Sequence, residues 1–393
     1  MVKKVAILTN GGDVAGFNAV IRAIVKTAEH KGIEAYGFIE GYKGLLNNEY
    51  VKLSTFGNAS GLIDKGGSII GSSINANVFN YRCENLDGTV EYKDLSDICV
   101  KNYLEDNFDC LFTLGGDSTQ KSARDLSLKG IKVIGVPKTI DNDVQCTEVT
   151  FGYNTAVSVA TDAIDRLHTT AATHHRVMVL ETMGREAGWI ALESAVSGGA
   201  DIALIPEIPY DIQKVADKIN ERKNNGKAFS IVVVSEGAYP KYGYTSTTSL
   251  DDDNENKGVI TRKYGGVGEI VSKQIQKLTG LNSRCTVLGY MQRGGTPTAY
   301  DRVLSSKYGA KAMELAIQGR FNVLTVIKDG KLDSVPIEQV VGENKRIGAV
   351  QDGSLENSVK TVQMDDDLVT TALDLGICLG DDVENINLKG IKF

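Results

Sequence analysis

Short runs of consecutive apolar residues alternate along this chain with longer stretches whose apolar positions recur every three or four residues. A continuous apolar run of about five residues suits a parallel strand buried on both faces. The three-and-four spacing suits a helix with one buried stripe. Residues 5–8, 33–38, 110–114, 132–136, 176–180, 230–234 and 285–288 therefore read as strands. Residues 17–30, 120–128, 157–172, 211–223, 267–278 and 301–318 read as helices. Strand and helix alternate, so the predicted class is α/β with parallel-rich sheets and right-handed crossovers. A chain of 393 residues is too long for one such sheet, and the pattern predicts two doubly wound domains.

Composition narrows the function classes. The formal net charge is −7, which argues against a nucleic-acid partner, since sequence-independent binding needs a basic footprint. Glycine is frequent (42 residues) and proline scarce (6), as expected where many tight loops join regular elements. The six cysteines include no C-x-x-C pair and no metal-ligand spacing, so they read as reduced and mostly structural. No apolar run approaches the ~20 residues that cross a bilayer, and the apolar stretch at 5–8 is too short for a signal sequence. The expectation is a soluble, cytoplasmic protein without a membrane partner. Residues 239–257 are polar and carry the acidic run Asp251-Asp252-Asp253-Asn254-Glu255, which reads as a solvated loop.

The candidate chemistry lies just after the strand-like runs. Asn10-Gly11-Gly12-Asp13, Gly115-Gly116-Asp117-Ser118-Thr119, Lys138-Thr139-Ile140-Asp141-Asn142-Asp143, Glu181-Thr182-Met183-Gly184-Arg185, Ser235-Glu236-Gly237 and Gln292-Arg293-Gly294-Gly295 each follow one. Ligands of open α/β sheets bind beyond the carboxyl ends of strands. Each Gly-Gly-Asp loop alone is either a tight turn or a phosphate cradle at a helix start; two in one chain favour the cradle. Asp141 and Asp143 are close carboxylates, which repel unless a cation or a proton separates them. One can hold Mg²⁺ while the other takes a proton from an alcohol, as phosphoryl transfer requires; the alternative is an Asx-rich turn. Arg176, Arg185, Arg284 and Arg293 fall near strand ends, where guanidinium groups grip phosphate or pair with surface carboxylates.

In this order the motifs GGDVAGFNAVIRA, GGDST, PKTIDND, HHRVMVLETMGREAG and LGYMQRGGTPTAYDR resemble the phosphofructokinase family, from Lys4 to about Gly319 and more weakly to about Leu379. The resemblance implies two Rossmann-like domains with the active site in the cleft. The donor-binding domain would be 1–152 plus about 291–345, and the sugar-phosphate domain 153–290 plus about 346–393. It implies Mg-dependent transfer of a phosphoryl group to the 1-hydroxyl of fructose 6-phosphate. Asp141 matches the general base, Thr139 a substrate-side hydroxyl, and Arg185 the residue that stabilises the transferring charge. Asp117 and Asp143 match acids near Mg²⁺. Gly12, Tyr42, Asp117, Ser118, Thr119 and Lys138 match the donor side. Met183, Gly184, Glu236 and Arg293 match the sugar-phosphate pocket. Arg176, Arg284 and Tyr290 match positions that reach the 6-phosphate, the arginines from the neighbouring subunit of a homodimer or homotetramer with shared active sites.

The implied donor is ATP or pyrophosphate. Pyrophosphate users of the family typically carry Asp after G-G-D, where a carboxylate repels the α-phosphate of ATP; here the residue is Ser118, which favours ATP. Lys138 occurs with either donor. Where the family often has an arginine near the donor phosphates, this chain has Ile74. That departure leaves a second alternative, a non-catalytic sugar-phosphate-binding subunit. The effector site of bacterial relatives is partly matched, by Arg22, Arg166 and Glu207, with Thr55 at a basic position.

Overall fold

The structure, a computed structural model, describes residues 2–74, 77–85, 87–242, 264–341 and 359–382. Its strands are β1 (Lys4–Thr9), β2 (Glu34–Phe38), β3 (Tyr50–Leu53), β4 (Tyr81–Glu84), β5 (Val90–Lys93), β6 (Cys110–Gly115), β7 (Val133–Pro137), β8 (Val177–Thr182), β9 (Ile202–Leu204), β10 (Ser230–Ser235), β11 (Ser283–Val287), β12 (Val323–Lys328) and β13 (Lys331–Pro336). Its helices are α1 (Phe17–His30), α2 (Tyr42–Asn47), α3 (Ser96–Glu105), α4 (Asp117–Leu128), α5 (Tyr153–His174), α6 (Trp189–Gly198), α7 (Ile212–Asn224), α8 (Val267–Thr279), α9 (Ala299–Ile317), α10 (Ile337–Val340) and α11 (Asp367–Asp374).

Two compact units divide the chain. The first gathers Met1–Thr139, Val144–Asn154 and Arg293–Ile347. Its sheet has the order β13-β12-β7-β6-β1-β2-β3. The five inner strands are parallel, and antiparallel β13 and β3 close the two edges. β1 and β6 are continuous apolar runs because both faces are covered; Val5, Ile7, Leu8, Leu111, Phe112 and Leu114 have no exposure. Helix α1 buries Phe17, Val20, Ile21, Ile24 and Val25 along one stripe. It packs against α9 where Gly309 comes so near that an added Cβ would lie 2.6 Å from the Val20 carbonyl.

The second unit gathers Ile140–Asp143, Thr155–Gln292 and Gly348–Phe393. Its sheet, β11-β8-β10-β9, is wholly parallel. Val177, Val179, Val232, Val234, Ile202 and Leu204 form its core with Val215 and Ile219 of α7 and Val271 and Ile275 of α8.

Several elements differ from the sequence pattern. Helix α5 begins at Tyr153, four residues before the expected start, because its polar first turn follows Gly152, whose N–H is taken by Asp301 Oδ1 at 3.0 Å. Helix α4 begins at Asp117, directly on the glycine turn. The edge strands β3 and β13 and the two-stranded ribbon β4–β5 are short, with many exposed positions, so they carry no continuous apolar run. In the expected loop at 239–257, the carbonyl of Tyr239 accepts from the Tyr210 N–H at 3.0 Å, and the N–H of Lys241 donates to the Tyr210 carbonyl at 2.7 Å. The rest of that stretch, from residue 243, lies outside the described residues.

Candidate active site

On the first unit, three adjacent parallel strands, β7, β6 and β1, deliver their carboxyl-end loops side by side. After β1, Gly11 takes φ +86°, a left-handed conformation that glycine adopts without strain. Its N–H donates to the Ser73 carbonyl at 2.9 Å, and Ser72 Oγ donates to the Gly11 carbonyl at 2.7 Å. After β6, Gly115 permits a tight turn into α4; a Cβ there would lie 2.3 Å from Thr119 Cβ. Asp117 heads the helix, half-buried, and Ser118 beside it is exposed. After β7, the Lys138 N–H donates to the Gly115 carbonyl at 3.1 Å, and its Nζ donates to the Gly12 carbonyl at 2.6 Å. A glycine-rich turn, a helix start and an ammonium held together are the parts from which an anion cradle can be built.

Tyr42 stands behind this cradle. It has no exposure, and its hydroxyl donates to the Thr119 carbonyl at 2.9 Å. Burial pushes its phenol well above the ordinary range, so it stays neutral and acts as a brace. Thr119 is itself buried, its Oγ1 3.4 Å from the Asn10 carbonyl oxygen. Arg293 belongs to this unit too: a Cβ on Gly12 would lie 2.7 Å from its Nη1. Ile74, near Ser72 and Ser73 in sequence, is 74% exposed.

On the second unit, the ends of adjacent β8 and β10 converge with the Asp141 segment. Arg185 Nε lies 3.9 Å from Asp141 Oδ2; the carboxylate is buried and the guanidinium exposed. The Arg185 backbone is left-handed at φ +51° and follows Gly184 at φ +145°, a conformation that persists only when neighbours hold it. Glu236 Oε1 accepts from the N–H groups of Gly184 (3.3 Å) and Arg185 (3.1 Å). Burial raises the Glu236 pKa; the Arg185 N–H opposes that and the Asp141 charge adds to it. Gln292, fully buried, accepts the Met183 N–H at 2.8 Å.

The remaining candidates are held by other contacts. Arg176 and Arg284 stand at the amino ends of β8 and β11, at neighbouring registers, away from the strand ends that carry Met183 and Glu236. Tyr290 is 78% exposed, in the 3-10 turn Gly289–Gln292. Thr139 is buried, its carbonyl accepting Thr150 Oγ1 at 2.8 Å. Asp143 uses its carbonyl to accept the Lys360 N–H at 2.8 Å. Of the effector-site matches, Arg166 pairs with Asp162 at 2.8 Å in solvent. Glu207 turns inward, where its Oε1 accepts the N–H groups of Gly188 and Val362, both at 2.9 Å. The Thr55 N–H is taken by Glu29 at 2.8 Å.

Among the described residues no three His, Cys, Asp or Glu side chains gather as a metal-ligand group. A Mg²⁺ ion suits what is present, because it takes one or two hard carboxylates and completes its shell with phosphate oxygens and water. Asp117, at the mouth of the anion cradle, is such a carboxylate. Gln292 and Gly237, which hold the 183–185 loop, fall inside the strand-end segments of the sequence pattern, which gives neither a role of its own. Nothing in the residue type of Gln292 marks a buried amide as a loop anchor.

The family profile described as Phosphofructokinase matches residues 4–316. A Clostridium perfringens protein named ATP-dependent 6-phosphofructokinase 2 is 47% identical over 363 residues, covering 92% of this chain and 97% of that protein. A Chloroflexus aggregans protein named ATP-dependent 6-phosphofructokinase is 42% identical over 381 residues, covering 97% of this chain and 99% of that protein. Among solved structures, Saccharomyces cerevisiae phosphofructokinase aligns with a TM-score of 0.71 at 26% identity over 86% of this chain, which spans 45% of that longer one. A pyrophosphate-dependent phosphofructokinase from Marinobacter aquaeolei aligns with a TM-score of 0.73 at 21% identity, covering 99% of this chain and 91% of that one; this likeness speaks to the fold alone.

Proposed function

Because the chain belongs to the phosphofructokinase family, we propose that its two sets of strand-end residues serve one reaction. It transfers the terminal phosphoryl group of ATP to the 1-hydroxyl of fructose 6-phosphate, giving fructose 1,6-bisphosphate in glycolysis. The observation that carries this reading is the buried carboxylate of Asp141 with the Arg185 guanidinium 3.9 Å away. It joins a base for an alcohol to a cation for a transferring phosphoryl group.

Asp141 takes the proton of the 1-hydroxyl as its oxygen attacks. Arg185 stabilises charge on the phosphoryl oxygens in flight. Glu236, Gly184 and Met183 fix the loop that presents Arg185 and line the sugar pocket, and Thr139 offers its hydroxyl on the substrate side. Gly12, Asp117, Ser118, Thr119 and Lys138 receive the donor phosphates, with Tyr42 bracing them. Arg293, which lies against Gly12, would contribute to the sugar-phosphate pocket. Phosphofructokinases are generally Mg-dependent; Asp117 and Asp143 would hold the ion, which when bound neutralises donor charge.

Two relatives named as ATP-dependent, at 47% and 42% identity, support ATP over pyrophosphate, as does the small neutral Ser118. They also favour an enzyme over a binding-only subunit. Arg176, Arg284 and Tyr290 would complete the 6-phosphate site of a second copy in a homodimer or homotetramer. Among the described residues no helix is long and apolar enough to cross a membrane. A cytoplasmic location is proposed from the similarity to glycolytic 6-phosphofructokinases. A coupled assay of fructose 6-phosphate with Mg-ATP tests the reading: saturable turnover is expected, and sugar-phosphate binding without turnover on either donor would overturn it.

A further inference from the structure

Gln120, in the first turn of α4, has no solvent exposure. Its Nε2 amide reaches three carbonyl oxygens, those of Thr113 and Gly115 at 3.0 Å and of Val136 at 3.3 Å. Its Oε1 accepts the Thr113 hydroxyl at 3.1 Å. The neighbours fix this orientation, because a flipped amide would set its oxygen against three carbonyl oxygens. Gly135, inside β7, makes the room: a Cβ there would lie 2.3 Å from Gln120 Oε1. A glycine within a buried strand often marks such a close approach.

The Gly115 carbonyl is thus held from two sides. Gln120 donates to it from α4, and the Lys138 N–H donates to it from the segment after β7, at 3.1 Å. Val136, the third carbonyl, lies two residues before Lys138. One buried amide therefore ties the start of α4 to the ends of β6 and β7, from which the glycine turn and the ammonium emerge. We propose that Gln120 is a positioning residue for the phosphoryl donor: it sets the spacing between the Gly115–Thr119 turn and Lys138, touching no substrate itself. The inference rests on the reading of this unit as the donor side. Its weight follows from geometry, since a misplacement of about 1 Å can cost roughly 100-fold in rate.

The test is Gln120→Met, close in volume and unable to donate. Its catalytic efficiency with Mg-ATP is expected to fall ten- to hundredfold, while its calorimetric affinity for fructose 6-phosphate alone stays within twofold. Thr113→Val, which removes the hydroxyl that orients the amide, should move donor efficiency in the same direction by a smaller factor. It covers the case in which Gln120→Met does not fold. Donor efficiency within threefold of the parent, or equal loss of donor efficiency and sugar affinity, would overturn the proposal by reducing Gln120 to general packing. If the parent binds Mg-ATP without turning it over, the functional reading fails alone. Calorimetric Mg-ATP affinities then decide the role of Gln120, weaker binding by the variant supporting it and equal binding contradicting it.

Discussion

The carbonyl oxygen of Arg185 lies against Gly237 so closely that a Cβ on that glycine would stand 1.7 Å from it. The loop that carries the Arg185 guanidinium is therefore gripped on both sides of its left-handed residue, by the Glu236 carboxylate and by the bare Cα that follows. Gly237→Ala should push the 183–185 loop out of place. A loss of about 100-fold in kcat is expected from misplacement on this scale. Steady-state kinetics on the variant checks it, and turnover near that of the parent would show that the contact does not position Arg185.

Donor choice should respond to the second residue of α4. Ser118 is exposed beside Asp117, so a larger side chain enters without disturbing the core. Ser118→Asp puts a carboxylate at the position proposed to receive the donor phosphates, and like charges repel. Catalytic efficiency with Mg-ATP is expected to fall at least tenfold, with a smaller loss on Mg-pyrophosphate. Equal losses on both donors would detach this position from donor selection.

Ile74 offers the opposite experiment. With 74% of its surface exposed, it contributes little packing, and Ile74→Arg adds a cation where the family resemblance expects one. An exposed ion pair gives about 0.2–1 kcal/mol, so the KM for ATP should drop by a factor of roughly 1.4 to 5. An unchanged KM would mean that the donor phosphates do not pass this side chain.

Glu207 predicts a pH dependence of stability. Burial pushes its carboxyl up to about 7, although the N–H groups of Gly188 and Val362 pull the other way. Below the ordinary carboxylate range the group is protonated in both folded and unfolded chains, and its contribution is fully present. As pH rises from about 4.5 to about 7 the unfolded chain releases its proton first, so stability falls. The loss is on the order of 3 kcal/mol. Glu207→Gln resembles the protonated form and keeps an acceptor for both N–H groups. Its melting temperature should match the parent near pH 4 and exceed it by several degrees at pH 8. A difference that stays constant across that range would contradict the assignment.

Much of this architecture could be read from apolar patterning. β1, β6, β7, β8 and β10 are legible because burial on both faces demands unbroken apolar runs. β3, β13 and the β4–β5 ribbon are not, because short half-exposed strands look like polar loops. The site divides in the same way. Asp117, Asp141 and Arg185 stand in loops directly after strands, where α/β sheets carry their chemistry. Gln120, Gln292 and Gly237 act through particular carbonyls and N–H groups brought near by the fold, and no residue type or spacing announces that. Glu207 shows the converse: a match in sequence to an effector position, whose carboxylate the fold has already committed to two backbone N–H groups.

The claim at the centre is that Asp141 makes the sugar hydroxyl nucleophilic. Asp141→Asn keeps the shape of the side chain and removes the base. Turnover of fructose 6-phosphate with Mg-ATP, measured beside calorimetric binding of the sugar phosphate, tests it most directly. A kcat lower by roughly 10²–10⁴-fold is expected, with sugar affinity changed by no more than a few-fold; turnover close to that of the parent would remove Asp141 from this role.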